Sequence, residues 1–430
     1  MSNLVAYLRQ QIEQNALTDK AFLIAFSGGA DSTALLALFA QLRQTLPSLK
    51  VRAIHIHHGL SPNADDWAQH CATLCQQLNI DFLCQKIQLQ QSKNLEENAR
   101  IARYQAIAQI RYNNEIVVTA HHLDDQSETF FLALKRGSGV QGLAAIPTLS
   151  KVFDLPLFRP LLAFDKQRLE QYLTEKKLPF IYDESNHNPH FDRNFLRQQI
   201  LPLLRQRWHN FDRAVQRSAE HCLEQQQLIN ELLADCLASH LDTQFNFKLA
   251  NFSHYSIAKQ KQLLRLWLAK QQQMMPTQTQ LEQILKNVIQ ARLDAKPQFR
   301  LGDKMIRRFQ QKLYLTEIFA ETRSFSCQLN YGETIQLPDN LGELSCLLQQ
   351  QKVAIHWQQQ HLLLDRPKAQ ESIYLRFHYS GKVRLTPKSK NKDIKKIWQE
   401  YNIPPWQRYR IPLIFYAEQL QAAVGIFQCQ

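Results

Sequence analysis

Through the first 180 residues, short apolar runs alternate with longer amphipathic stretches. Residues 21–26, Ala-Phe-Leu-Ile-Ala-Phe, are continuously apolar, which predicts a buried strand. Residues 33–40 follow as a run of strong helix formers, with Asp31 and Ser32 at its mouth as caps. Ahead of them, Leu4, Val5, Leu8 and Ile12 trace one face of a helix. Residues 51–60 alternate into Gly59 and predict a second strand. A helix is expected at 64–78, a third strand over 80–84 and 86–89, and a helix at 95–110. Ala99, Ala102, Ala106 and Ile107 give that last helix its packing stripe. Residues 115–120 read as a fourth strand ending at His121 and His122, and 165–177 as a helix. Strand alternating with helix predicts an α/β fold, a Rossmann-like parallel sheet with helices on both faces. Ligands of such sheets bind beyond the carboxyl ends of the strands. Residues 27–32, His57, His58 and residues 121–125 all fall on that edge.

The period changes in the second half. Val215, Ala219, Cys222, Ile229, Leu233 and Cys236 recur at three and four through a long helical stretch, 211–241. Helices at 258–269 and 278–291 make the middle domain mainly helical. Residues 321–370 read poorly, as short strands with turns at Gly332 and Gly342, or a linker. From 371 a small C-terminal α/β domain is expected, in which Asp393 caps a helix carrying Ile394, Ile397, Trp398 and Tyr401. Two alternating runs follow, 413–416 and 420–427. The expected domains are therefore 1–210, 211–320, 321–370 and 371–430.

Composition narrows the class. The chain has 430 residues, 44% of them hydrophobic, and its apolar runs are far too short to cross a bilayer. No basic-then-apolar signal pattern opens it. Its eight cysteines form no C-x-x-C pair, which argues against a disulfide framework or zinc site and for a reducing cytoplasm. The net charge of +13 favours a polyanionic partner. Basic residues gather at Arg300, Lys304, Arg307, Arg308 and Lys312, and again at Arg376, Lys382, Arg384, Lys388, Lys390, Lys392, Lys395 and Lys396. Both groups read as solvated charge or as contacts to an RNA backbone.

The chemistry concentrates in three stretches. Ser27-Gly28-Gly29-Ala30-Asp31-Ser32 joins the first strand to its helix. Two glycines allow close backbone approach, and the helix start offers free N–H groups to an anion, phosphate above all. Asp31 repels phosphate unless a divalent cation bridges the two. The second stretch, His121 to Thr129, brings Asp124, Asp125 and Glu128 within a helical turn. These suit magnesium beside a triphosphate, a metal-hydrolase site with the histidines, or a solvated helix start. Arg136 then leads a loop with glycines at 137, 139 and 142, offering a cation to phosphate. The third stretch holds Asp183-Glu184-Ser185-Asn186 and, one turn apart, Arg193 and Arg197. These arginines clamp phosphate of ATP or RNA, or else pair with Asp192 and Glu184.

The first loop resembles the S-G-G-x-D-S signature of the PP-loop (N-type) ATP pyrophosphatases. The full order of motifs adds His57-His58-Gly59-Leu60, T-A-H-H-x-x-D-Q-x-E-T, R-G-S-G-x-x-G-L and D-E-S-N with R-N-x-x-R. From residue 21 to 204 it is similar to the lysidine synthase branch of that superfamily, as is the basic tail. The resemblance implies a PP-loop ATPase fold and an AMP-forming ligase that uses ATP and Mg2+. It implies tRNA(Ile) with a CAU anticodon and free L-lysine as partners. On this reading Ser27, Gly28, Gly29, Ala30, Asp31 and Ser32 bind ATP, and Asp31 holds the metal. Asp31, Asp125 and Glu128 are the expected catalytic carboxylates. His58, His122, Asp124, Arg136, Arg193 and Arg197 are candidate contacts to lysine, phosphate or tRNA. Arg376, Lys382, Arg384, Lys388, Lys390, Lys395 and Lys396 form a tRNA-binding tail. The alternatives are a thiolase of the same superfamily, which needs a cysteine pair absent near these motifs, or a tRNA-binding protein without catalysis. A homodimer stays open.

Overall fold

The computed structural model describes residues 3–59, 61–88, 95–182, 191–292, 295–386 and 390–429. Leu60, the segment 183–186 and Lys388 lie outside the described residues. Two compact units emerge, Met1–Glu231 and Leu232–Gln430. Among the described residues no helix is long and apolar enough to cross a membrane.

In the first unit the strands are β1 (Ala21–Ala25), β2 (Val51–His57), β3 (Asp81–Lys86), β4 (Glu115–Val118), β5 (Leu149–Val152) and β6 (Leu155–Phe158). The helices are α1 (Asn3–Gln14), α2 (Ala30–Thr45), α3 (Ala64–Gln77), α4 (Leu95–Ile110), α5 (Leu123–Lys135), α6 (Val140–Leu143), α7 (Lys166–Lys176), α8 (Asp192–Phe195), α9 (Leu201–Arg207) and α10 (Phe211–His240), whose residues from Leu232 on belong to the second unit. The sheet order is β3-β2-β1-β4-β6-β5. Every neighbouring pair is parallel except β5 with β6, a hairpin the sequence pattern did not announce. Alternation along β1 sends Phe22 and Ile24 into a core with Leu35, Leu38 and Phe39 of α2. Leu23 enters the core of the opposite face with Ile54, Ile107, Val117 and Leu157. Strand order runs outward from β1 in both directions, through β2 on one side and β4 on the other. The carboxyl ends of β1 and β4 are thus a topological switch point, where a crevice opens.

The second unit bears out one expectation and corrects another. The middle segment, 211–320, is helical in the main, with a sheet added. It has α11 (Ile257–Lys270) and α12 (Gln278–Gln283) with a π-helical continuation at Ile284–Ile289. It also has an antiparallel sheet of β7 (Phe247–Lys248), β8 (Gln298–Leu301), β9 (Lys304–Phe309) and β10 (Lys312–Glu317), in order β7-β10-β9-β8. Its core joins Phe247, Trp267 and Ile284 to Ile306 and Leu313. Basic side chains at the outward positions of β8 to β10 hid the period-two pattern.

Residues 321–370 are not a linker. They hold β11 (Ser326–Leu329), β12 (Glu333–Gln336), β13 (Glu343–Gln349), β14 (Lys352–Trp357) and β15 (Gln360–Asp365). The last four make one antiparallel sheet. β11 joins a second sheet, in order, with β16 (Ile373–Arg376), β19 (Leu413–Tyr416), β20 (Gln419–Ala423) and β21 (Phe427–Gln428). Leu329, Leu344, Ile355 and Leu364 share a core with Leu375, Ile414 and Ala422, so residue 371 divides no cores. A two-stranded ribbon, β17 (Lys382–Val383) with β18 (Lys392–Asp393), leads into α13 (Ile394–Glu400). Asp393 caps α13 by accepting from the Lys395 amide at 2.7 Å.

Candidate active site

The loop after β1 is shaped by Gly28, whose φ is +85°. A β-carbon there would lie 2.4 Å from Ile181 Cδ1 and 2.9 Å from Cys71 Sγ. The Gly28 carbonyl accepts from the Ile181 amide at 2.9 Å and from Thr33 Oγ1 at 3.2 Å, which pins the loop beside α2. Ser27 and Ser32 hydroxyls meet at 3.0 Å, and Ser32 Oγ also donates to the Gly29 carbonyl at 3.0 Å. No side chain caps the start of α2 at Gly29, so its first N–H groups remain for a ligand.

Asp31, on the first turn of α2, faces the loop after β4. His122 is buried there, with Nε2 3.5 Å from Asp31 Oδ2 and 3.5 Å from Asp125 Oδ2. Its Nδ1 is 3.5 Å from Asp124 Oδ1. Burial alone would push this imidazole down. The carboxylates of Asp125, Asp124 and Asp31 outweigh it and hold its pKa up to about 10, so it is a cation at neutral pH. It ties the two loops of the switch point together.

α5 carries the remaining carboxylates, and each is already engaged. Asp124 accepts from the Lys166 amide at 3.0 Å and pairs with Arg205 at 2.8 Å. Burial raises its pKa, but the His122 hydrogen bond and charge overcome that and keep it ionised. Asp125 accepts from the His122 amide at 3.0 Å and lies 3.6 Å from Arg197. Glu128 has no exposed side-chain surface and accepts from Arg197 Nε at 2.6 Å and Nη2 at 3.0 Å. Burial pushes its carboxyl up, against the pull of Arg197. The solvated-helix-start reading of this stretch fails on that burial. The metal-hydrolase reading fails too, for no His/Cys/Asp/Glu cluster among the described residues has metal-binding geometry.

Arg193 and Arg197 are joined through a π-helical turn, Leu196–Ile200, which follows α8. Both reach Glu128, Arg193 Nε at 3.6 Å. Asp192, the partner expected for them at the surface, pairs with Lys135 instead, at 2.6 Å. Arg136 ends α5 with its side chain exposed. His58 faces Arg103, with Nε2 3.4 Å from that guanidinium. Burial, then the Arg103 charge, lowers His58 to about 4, so it is neutral. Sequence reasoning missed Arg103, Arg205 and Asp212, which pairs with Arg205 at 2.7 Å and accepts from Ser127 at 2.5 Å. No local signal marks them, because their partners lie elsewhere along the chain. Cys71 and Cys75 are pushed up to about 12 by burial, so these thiols stay protonated and unreactive.

Asp31 fits a magnesium ion held jointly with phosphates. Its Oδ1 is enclosed without a hydrogen-bond partner among the described residues, while 34% of the side chain stays exposed. A single hard oxygen donor of this kind suits Mg2+, which binds through one or two carboxylates plus substrate phosphates.

In the tail, Arg376 is paired with Glu418 at 2.7 Å and Lys392 with Glu400 at 2.8 Å. Lys382, Arg384, Lys390, Lys395 and Lys396 have exposed side chains.

Three family descriptions match this chain: PP-loop domain over residues 3–204, TilS substrate binding domain over 247–314, and TilS substrate C-terminal domain over 373–430. A tRNA(Ile)-lysidine synthase of Haemophilus influenzae (strain PittEE) is 52% identical over 429 residues, covering 99% of each chain. That of Histophilus somni (strain 2336) is 52% identical over 426 residues, again 99% of each. Among solved structures, a U34-tRNA thiolase from Methanococcus maripaludis aligns with 52% of this chain and 78% of its own, at 15% identity and a TM-score of 0.45. Identity of this order, sustained from end to end and through all three domains, favours neither the thiolase nor the non-catalytic alternative: the chain belongs to the tRNA(Ile)-lysidine synthase family of PP-loop ATP-binding ligases.

Proposed function

We propose that the crevice between the ends of β1 and β4 adenylates the wobble cytosine of tRNA(Ile) with a CAU anticodon and then exchanges AMP for free L-lysine. In the first step the C2 oxygen attacks the α-phosphorus of ATP; an O–P bond forms and pyrophosphate leaves. In the second, the lysine ε-amine attacks C2, the C2–O bond breaks, and AMP leaves. The observation that carries this reading is the uncapped start of α2 beside the Ser27–Ser32 hydroxyl pair, with Asp31 at its edge. The amides and hydroxyls receive phosphate oxygens where charge develops, at no cost in reorganisation. Mg2+, held by Asp31 and the phosphates, would neutralise that charge when bound.

Free lysine has a reference amine pKa of about 10.4, so it arrives as an ammonium and must lose a proton. Asp124 is held by Arg205 and the Lys166 amide and Glu128 is closed off, which leaves Asp125, with 12% of its side chain exposed, as the carboxylate of α5 for this role. It binds the ammonium and takes the proton. Glu128, closed off from solvent, acts as a positioning residue by aiming Arg197 across Asp125. Arg136 and Arg193 meet phosphates of ATP or tRNA. Eight free cysteines fit a reducing cytoplasm.

The test is incubation of unmodified tRNA(Ile) transcript with ATP, Mg2+ and labelled lysine, followed by nucleoside mass analysis. Label in the wobble nucleoside is expected from the natural chain. Asp31→Ala should abolish AMP release while tRNA affinity holds. An unlabelled transcript, or undiminished AMP release by the variant, counts against the reading.

A further inference from the structure

Residues 295–298, 307–311 and 319–323 of the second unit, with Gln399, Pro405, Trp406, Tyr409 and Arg410, line a cavity of about 640 Å³. That lies within the range of small-ligand pockets, about 300–1,000 Å³. Its walls are basic and aromatic, and Glu321 is the only acid among the lining residues. Arg410 lies 4.0 Å from the Phe319 ring centre and Arg323 4.0 Å from that of Tyr409. Both also have carboxylate partners, Asp339 and Glu321 respectively. Arg308 donates to the carbonyls of Ile289, Ala291 and Arg292.

Arg307 differs from these. Its guanidinium sits 5.2 Å from the Phe319 ring and 5.5 Å from the Trp406 ring. Its Nε is buried with no hydrogen-bond partner, and it makes no ion pair among the described residues. Burial, then the charge of Arg410, lowers its pKa. A half-buried guanidinium whose Nε is shut off from water without an acceptor is unfavourable, and an incoming phosphate oxygen reverses that. Trp406 is fixed next to it, edge-on to Tyr314 at 5.2 Å and to Phe309 at 6.1 Å. A rigid indole beside an unpaired guanidinium matches a base and its phosphate, and such pairs recognise unstacked RNA rather than duplex.

We propose that this cavity takes one unpaired nucleotide of the bound tRNA, with its phosphate on Arg307 and its base against Trp406. This rests on the reading of the second unit as a tRNA grip. A free mononucleotide carries the same chemistry, and the test separates the two sources.

The experiment measures fluorescence anisotropy of the full chain with a labelled single-stranded tetraribonucleotide and with a blunt two-strand RNA duplex, using AMP as competitor. Arg307→Gln and Trp406→Leu should each weaken the tetranucleotide at least about tenfold. Duplex affinity should change less than about twofold, since phosphate contacts elsewhere carry it. Arg307→Lys should recover part of the loss, which a folding defect would not allow. Equal losses for both RNAs, or no loss for either, overturn the proposal. So does AMP displacing the tetranucleotide at matching concentration, which would mark a mononucleotide site. Failure of the wider reading shows differently: the natural chain would then bind neither RNA.

Discussion

Gly28 holds the nucleotide loop in a backbone region that a side chain rarely adopts, φ +85°, with Ile181 and Cys71 packed where a β-carbon would stand. Gly28→Ala therefore combines backbone strain with a clash. We expect a loss of about 1–3 kcal/mol in urea unfolding, with ATP affinity falling alongside. A change under about 0.5 kcal/mol would mean the loop yields freely, and Gly28 is then not what shapes it. The loop is legible in the sequence because its logic is local: serines, glycines and Asp31 act on the strand and helix they join. Ile181, which fills the space over Gly28, is not, since only the folded sheet brings it there. The same divide separates His122, visible as a histidine at a strand end, from its charge. That charge depends on three carboxylates from the first turns of two different helices.

α5 and the turn after α8 meet through Glu128 and the arginines. Spacing alone puts Asp124, Asp125 and Glu128 within one helical turn, but it cannot show that Arg197, from a distant segment, neutralises Glu128. A π-helical turn makes that reach possible, and no sequence period announces one. Arg197→Ala should leave the buried Glu128 carboxylate with only the longer Arg193 contact, 3.6 Å, and destabilise the first unit by about 3–5 kcal/mol. Adding Glu128→Gln removes the stranded charge, so the double variant should be more stable than Arg197→Ala alone. Urea midpoints decide it, and a double variant weaker than the single would show that the pair is not the support of this face. Elsewhere, β13 to β15 read only as unplaced short strands, for a related reason. β13 reads Glu-Leu-Ser-Cys-Leu-Leu-Gln, in which Leu344 and Cys346 are buried and Leu348 is exposed, so the alternation breaks midway. Short antiparallel strands with apolar residues on both faces carry little of the period that betrays a parallel core.

A net charge of +13 points to a polyanion, and the fold divides its cations into committed and available ones. Arg376 and Lys392 face carboxylates at 2.7 and 2.8 Å, whereas Lys390, Lys395 and Lys396 project from the ribbon and the first turn of α13. Each lysine that touches a phosphate releases condensed counterions on binding and steepens the salt dependence of affinity. Replacing Lys390, Lys395 and Lys396 by Gln should lower the slope of log affinity against log salt by about one per lysine in contact. Arg376→Gln, which loses a cation already paired to Glu418, should change the slope far less. ATP affinity should stay constant in both variants, because the nucleotide loop is built wholly from first-unit elements. Filter binding of tRNA(Ile) between low and moderate salt measures the slopes directly. An unaltered slope in the triple lysine variant would remove these residues from the RNA interface and leave the charge of the second unit as a solubility device.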